Sequence, residues 1–215
     1  MNSTLFFIRF VRFTRFLYLN AIDVGMVGAK PSFSDLDVVL TFLLMGSSKS
    51  RIALTKQVGV GEGAMRSILD ALKEKALIVS TNQGHEYSAK GADLRAQIHA
   101  AMSGPLRVYT QFFPESAQVA IVLKGAGELS WHARDCAIAN GAQAALVLSM
   151  KDRLYAAGLD DDFSNLAGQT QAKKGDAVIV AVAKEPVVAT KAALASSIHS
   201  SQKIASLFCF YSELR

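Results

Sequence analysis

The sequence predicts an α+β protein in two parts, a small helical unit carrying a β-hairpin and then a two-layer α+β unit. Three observations predict it. Residues 51–91 run through a short helix, a glycine-rich turn, an amphipathic helix and a strand–turn–strand. Residues 118–200 alternate apolar runs of strand length with runs of helix length. Between them, Gly104-Pro105 and Phe112-Phe113-Pro114 interrupt both periodicities. At 215 residues the chain has room for two domains of about 70–100 residues each. Its 51% apolar and 19% charged composition suffices for two cores. The expected divisions are a leader over 1–29, a winged helix-turn-helix domain over 30–103, a linker over 104–117 and an α+β domain over 118–215.

In the leader, Arg9, Arg12 and Arg15 alternate with Phe7, Phe10, Phe13 and Phe16, both series at a spacing of three. On a helix this sets a basic stripe beside an aromatic one, the pattern of a surface-seeking segment. The arginines interrupt every candidate signal-peptide core, and the run is too short and too charged for a span of about 20 apolar residues. Met26 precedes VGAKPSFSDLD, a natural domain start, so the leader also reads as a misassigned upstream translation start. No function is taken from it.

The first helix begins at Ser34, a good N-cap, with Phe33, Leu36, Val39, Leu40, Leu43 and Leu44 as its apolar stripe. A short helix follows from residue 51. In the next helix Ala64, Met65, Ile68, Leu69 and Leu72 recur at three- and four-residue intervals. Its opposite face carries Glu62, Arg66, Ser67, Asp70 and Lys73. Gly59, Gly61 and Gly63 are expected to open backbone angles and close approaches to the intervening turn. Leu77 to Ser80 alternates as a strand, Gln83-Gly84 suits a hairpin turn, and Asn82, Gln83 and His85 are placed at its tip. Helix, turn, helix and wing in that order are suited to setting one helix in the major groove of DNA.

On these residues the chain resembles a winged-helix domain from Phe33 to Met102, most closely in GVGEGAMRSILDALKEKALI and in YSAKGADL, where the chain leaves the wing through a polar-x-x-Gly step. VAIVLKGAG, ARDCAIANGAQAALVL and KKGDAVIVAVA are similar to the second domain of a small archaeal family of transcriptional regulators. The resemblance implies a winged helix joined to a compact, uncharacterised two-layer α+β domain, and it brings no known ligand.

The net charge of +5 divides as +2 in 1–29, +2 in 30–103 and +1 in 104–215. Lys49, Arg51 and Lys56 fall in 46–58 with no acidic residue among them, which suits phosphate contacts. The expected DNA-binding set is therefore Lys49, Arg51, Lys56, Glu62, Arg66, Ser67, Lys73, Asn82, Gln83 and His85. Arg66, one turn into the recognition helix, is placed for a bidentate guanine contact.

In the second domain the expected order is strand (118–124), helix (127–140), strand (143–149), a turn at Lys151-Asp152, strand (153–157), an acidic loop, strand (177–183) and helix (186–200), forming a mixed sheet with helices on one face. Residues 92–102 are expected to be a connecting helix, and 204–211 an edge strand or a docked tail. Gly125-Ala126-Gly127 follows a strand and opens the expected helix, where backbone N–H groups could hold an anion, but a tight turn is the better account. Asp160-Asp161-Asp162 lacks calcium-loop spacing and is expected to cap a helix at Phe163. Cys136 and Cys209 sit in apolar runs and are expected to be buried and reduced, without zinc. His85, His99, His132 and His199 show no ligand or triad spacing, and no nucleophile–base–orienter set can be assembled.

The expectation is a cytoplasmic, non-enzymatic transcriptional regulator that binds double-stranded DNA, with no cofactor, metal or membrane span. Its second domain is expected to sense a small-molecule effector or to form a homodimer. The alternative is a winged-helix module for protein or RNA; an enzyme centred in the second domain is the third class.

Overall fold

The computed structural model describes residues 32–46 and 48–209, and the leader expectation lies outside the described residues. The described residues form one compact unit. Helix α1 (Asp35–Leu44) starts as expected: Ser34 accepts the Asp37 N–H, and the Asp37 carboxylate accepts the Ser34 N–H at 2.7 Å, closing a capping box. The expected stripe accounts for only one side of this helix. Residues 37–42 are all buried, because α7 (Pro186–Ser200) covers the face turned away from α2 (Arg51–Val58) and α3 (Glu62–Glu74). Lys191 of α7 reaches the buried Asp37 carboxylate at 2.6 Å.

Helix α2 ends at Gly59, whose left-handed φ of +72° is favourable only without a Cβ. Gly61 caps α3 in extended backbone and Gly63 lies inside that helix, so neither needs glycine conformationally. The five expected apolar residues of α3 are its five buried ones.

Strands β1 (Ile78–Thr81) and β2 (Gly84–Tyr87) pair antiparallel, with Thr81 opposite Gly84, so the two-residue connection is Asn82-Gln83 rather than Gln83-Gly84. Tyr87 pins the hairpin: its hydroxyl donates to the Phe42 carbonyl at 2.6 Å, its ring meets Phe42 edge-on, and the Arg95 guanidinium lies over its outer face. Ser88 then caps α4 (Ala89–Ala101) by accepting the Gly91 N–H at 3.0 Å. The Ser88 N–H itself donates to the Leu77 carbonyl at 3.1 Å. That carbonyl presses so closely on Gly91 that an added Cβ would stand 1.9 Å from its oxygen. The polar-x-x-Gly step is thus a cap and a close approach in one motif.

No irregular linker follows. Met102, the C-cap of α4, is already the first residue of β3 (Met102–Val108), where the sequence suggested a helix end and a connector from 104. Pro105 reads locally as a terminator, but an edge strand tolerates proline because half of its N–H groups pair with nothing. β3 is that edge strand, and its register against β4 (Ala117–Leu123) shifts between Ser103 and Leu106. Buried Gln118 holds the connection between them, accepting from Thr110 N–H and Oγ and donating to the carbonyls of Thr110 and Phe113.

With β5 (Ala144–Met150), β6 (Leu154–Tyr155) and β7 (Ala177–Ala183) the sheet has the order β3-β4-β7-β5-β6. Every neighbouring pair is antiparallel, so the expected mixed sheet is corrected. The single covered face is corrected as well. Helices α5 (His132–Ala139) and α7 pack on one face. On the other, Ala120, Val122, Leu148, Val178 and Val180 meet Phe163, Leu166 and Ala172 around α6 (Ser164–Thr170). The two-layer expectation therefore misses a partial third layer. Its physical signature is visible in β4 and β7, whose runs AQVAIVL and AVIVAVA are apolar without alternation, as strands buried on both faces must be. The residues after α7 form a helix, α8 (Gln202–Leu207), packed on α4 and α7, which is the docked tail and not the edge strand of the two expectations; residues 210–211 lie outside the described ones. No helix among the described residues is long and apolar enough to cross a membrane.

Two glycines in helices give opposite expectations. Gly91→Ala forces backbone apart at Leu77 and is expected to cost about 1–3 kcal/mol or more. Gly63→Ala meets open space and is expected to be neutral or to add up to about 1 kcal/mol through helix propensity. Thermal melts of the two variants should move in opposite directions; a Gly91→Ala melt at the parent temperature would remove the close approach from the account.

Candidate nucleic-acid interface

The ten residues singled out in the sequence lie on three segments, 49–56, 62–73 and 82–85. A backbone bridge joins two of these segments. Lys49 N–H donates to the His85 carbonyl at 3.0 Å, and His85 N–H returns a bond to the Lys49 carbonyl at 2.9 Å. β2 is therefore flanked by β1 on one side and by the residues entering α2 on the other. Gly84 makes this possible: its φ is +136°, and a Cβ there would stand 2.5 Å from the Lys49 carbonyl oxygen. Ser50 caps α2 by accepting the Ala53 N–H at 3.2 Å, which fixes Arg51 in its first turn.

His85 is consequently not at the hairpin tip, as the sequence suggested. It lies in mid-strand opposite Ser80, half-buried, with Nδ1 3.2 Å from the Ser80 hydroxyl. Asn82 and Gln83 do occupy the tip and are exposed. Burial lowers the His85 pKa, the charges of Lys73 and Arg51 lower it further, and Asp70 opposes them. Side chains from α2, α3 and β2 thus share one electrostatic neighbourhood.

Within it much of the positive charge is answered. Arg51 lies 3.9 Å from Glu62, Lys73 is 3.1 Å from Asp70, and Lys49 donates to Gln57 at 2.9 Å. Ser67 is exposed and turns its hydroxyl back to the Gly63 carbonyl. Lys56 and Arg66 are exposed and have no ion-pair partner among the described residues. Gly84 and Tyr87, which position the hairpin, were not singled out as site residues. A glycine just after a two-residue polar loop was the available signal for the first; nothing local marks the second, whose acceptor is 45 residues away.

The other motifs resolve into structure. The Gly125-Ala126-Gly127 turn does not open a helix, since α5 starts at His132. Its Gly125 N–H is taken by the buried Asp176 carboxylate at 2.9 Å, and Gly127 N–H bonds the Gly175 carbonyl. Asp162 caps α6, accepting from Ser164 N–H and Oγ, and Asp160 lies 3.7 Å from Arg153. Glu128, Lys151 and Tyr155 form an exposed cluster: Tyr155 donates to Glu128, Lys151 pairs with it at 2.9 Å, and both lower the Glu128 pKa. Cys136 is buried, its thiol pushed up to about 11, whereas Cys209 is exposed, against expectation.

Residues 115–200, from two residues before β4 to the end of α7, match a family described as a domain of unknown function, DUF4443. A solved structure, a hypothetical protein, PH0730, from Pyrococcus horikoshii OT3, superposes with a TM-score of 0.67 at 23% identity, over 81% of this chain and 99% of that one. At that identity the likeness is one of fold. No curated protein matches the sequence.

His85, His99 and His199 all have lowered pKa values, with desolvation the first cause in each. A base whose folded pKa is depressed binds fewer protons folded than unfolded, so its stabilisation is present above about pH 6.5 and is lost as pH falls through the folded value. Denaturant titrations are expected to show lower stability at pH 5.5 than at pH 7.5, with a smaller difference in His199→Gln. Equal or greater stability at pH 5.5 would contradict the partial desolvation of His85 and His199.

Proposed function

We propose that α1–α4 and the β1–β2 hairpin act as a winged helix that binds double-stranded DNA, with α3 as the recognition helix, and that the protein is a transcriptional regulator whose sheet domain senses an effector or mediates dimerisation. The observation that carries this reading is the Lys49–His85 backbone bridge. It fastens the hairpin to the start of α2, so that the cationic residues of 49–56, the open face of α3 and the hairpin move as one body. Arg66 is the base-reading residue, being exposed and unengaged one turn into α3. Lys56, in the last turn of α2, serves a phosphate.

The acids on α3 favour a second reading, a protein or RNA partner. Glu62 and Asp70 neutralise Arg51 and Lys73 on the surface that a DNA reader would present. Ile52 on α2 and Val79 on β1 are exposed apolar side chains of the same helical unit.

Fluorescence anisotropy on duplexes selected from a random pool separates the two. Arg66→Ala is expected to lose about 1–3 kcal/mol on the preferred duplex and to relax one base position. Lys56→Ala should weaken all duplexes alike and reduce the salt slope by about 1. If both variants bind every duplex as the parent does, or the parent selects none, α3 is not a DNA reader, and duplex and single-stranded RNA become the next probes.

His85 supplies a separate pH signature. Nearby phosphate charge would raise its lowered pKa, so binding would take up a proton and affinity should rise as pH falls from 7.5 to 6. His85→Gln should flatten that slope. A slope unchanged in the variant would place His85 outside the interface.

A further inference from the structure

The two edges of the five-stranded sheet are treated differently. β3 carries Pro105, a register shift and Arg107, features that discourage another strand from pairing. The opposite edge is only partly closed: β6 pairs with β5 at Ser149 and Met150 alone. Among the described residues no strand pairs with the outer side of residues 144–148, Ala-Ala-Leu-Val-Leu, which carry no charge or proline.

The direction of their backbone groups follows from the ladder. Met150 N–H donates to the Asp176 carbonyl, so the even-numbered residues of β5 bond to β7. Ala145 and Val147 therefore aim N–H and C=O away from the sheet, and neither has a backbone partner there among the described residues. Two residues of like direction, one apart, form a self-complementary unit. In an antiparallel pair about a two-fold axis at Leu146, Ala145 meets Val147 of the second copy and the two exchange both bonds, twice over.

Helix α5 lies over this strand and carries a matching surface. Trp131 (68% exposed), Asp135 and Ile138 (40% exposed) fall on one stripe, with Arg134 beside Asp135. An antiparallel α5 pair about the same axis sets Trp131 near Ile138 of the second copy and Arg134 near its Asp135. Hydrogen-bond direction, apolar area and charge order all agree with a second copy of this chain.

We propose that the open edge of β5 is a self-association site, where two copies join through Ala145 and Val147 into one continuous sheet, with their α5 helices side by side above the junction. The pairing holds whatever partner α3 has, so its test does not involve DNA.

Sedimentation equilibrium of the full chain is expected to give twice the chain mass. Val147→Pro removes an N–H that the lone chain does not use and should raise the dimer dissociation constant at least tenfold. Arg134→Asp should do the same by placing acids opposite acids, and Arg134→Asp/Asp135→Arg should restore the parent value. Circular dichroism checks that each variant keeps its fold. Should Val147→Pro unfold, the charge-swap set and hydrogen exchange decide: amides 145 and 147 should be protected in the concentrated parent and exchange quickly on dilution. A monomeric parent at about 100 µM, or a dimer unaffected by the folded charge variants, overturns the proposal, as does fast exchange at both amides in a concentrated dimer.

Discussion

Three pieces of the chain meet at the carbonyl of Leu77. It receives the Ser88 N–H, lies against the bare Cα of Gly91, and follows directly on the end of α3, where the Ala76 carbonyl accepts from the Ser88 hydroxyl. The end of α3, the return of the hairpin and the start of α4 are thereby held at one point. Because α4 passes into β3 without an intervening loop, the same point orients the helical unit against the sheet. A second tie runs from α1 to α7 through Asp37 and Lys191. Asp37 is almost fully buried, and removal of Lys191 would leave a charge without its counter-ion, which is far more costly than the pair is beneficial.

What was legible in the sequence was what depends on near neighbours. The α3 stripe, the Ser34 cap and the limits of β7 follow from spacing over a few residues, and they stand where expected. What escaped depends on distant partners. Pro105 reads locally as a stop signal, and only the antiparallel neighbour β4 makes residues 102–108 an edge strand. α6 is seven residues long, too short for a periodic signal, and its role as cover for the second sheet face appears only when Phe163 and Leu166 meet β4 and β7. The glycines of residues 59–63 look alike in sequence, yet only Gly59 has a backbone angle that requires one. At the candidate interface the residue types were readable. The bridge that joins position 49 to position 85 was not, because nothing local announces a pairing across that distance.

The charge arrangement around α3 is balanced rather than strongly basic. With Arg51 and Lys73 each beside a carboxylate, non-specific attraction to a polyanion rests on few cations. Such a surface would favour selectivity over affinity: a matching partner supplies donors and acceptors for both members of each pair, and a mismatched one leaves a charge unanswered.

The order β3-β4-β7-β5-β6 also has a consequence for how the protein is made. The central strand pair joins β4, complete at Leu123, to β7, which begins at Ala177. At a synthesis rate of 5–20 residues per second, β4 waits roughly 3–10 s for its neighbour. During that time a strand destined for burial on both faces has only β3 beside it. The helical unit has its α2–α3 and hairpin contacts in hand early, but the α7 face of α1 also waits for residues 186–200. A nascent chain stalled between these two strands would therefore be a strong substrate for chaperones that recognise extended apolar segments, and slow codons would be better tolerated before residue 117 than between 124 and 176.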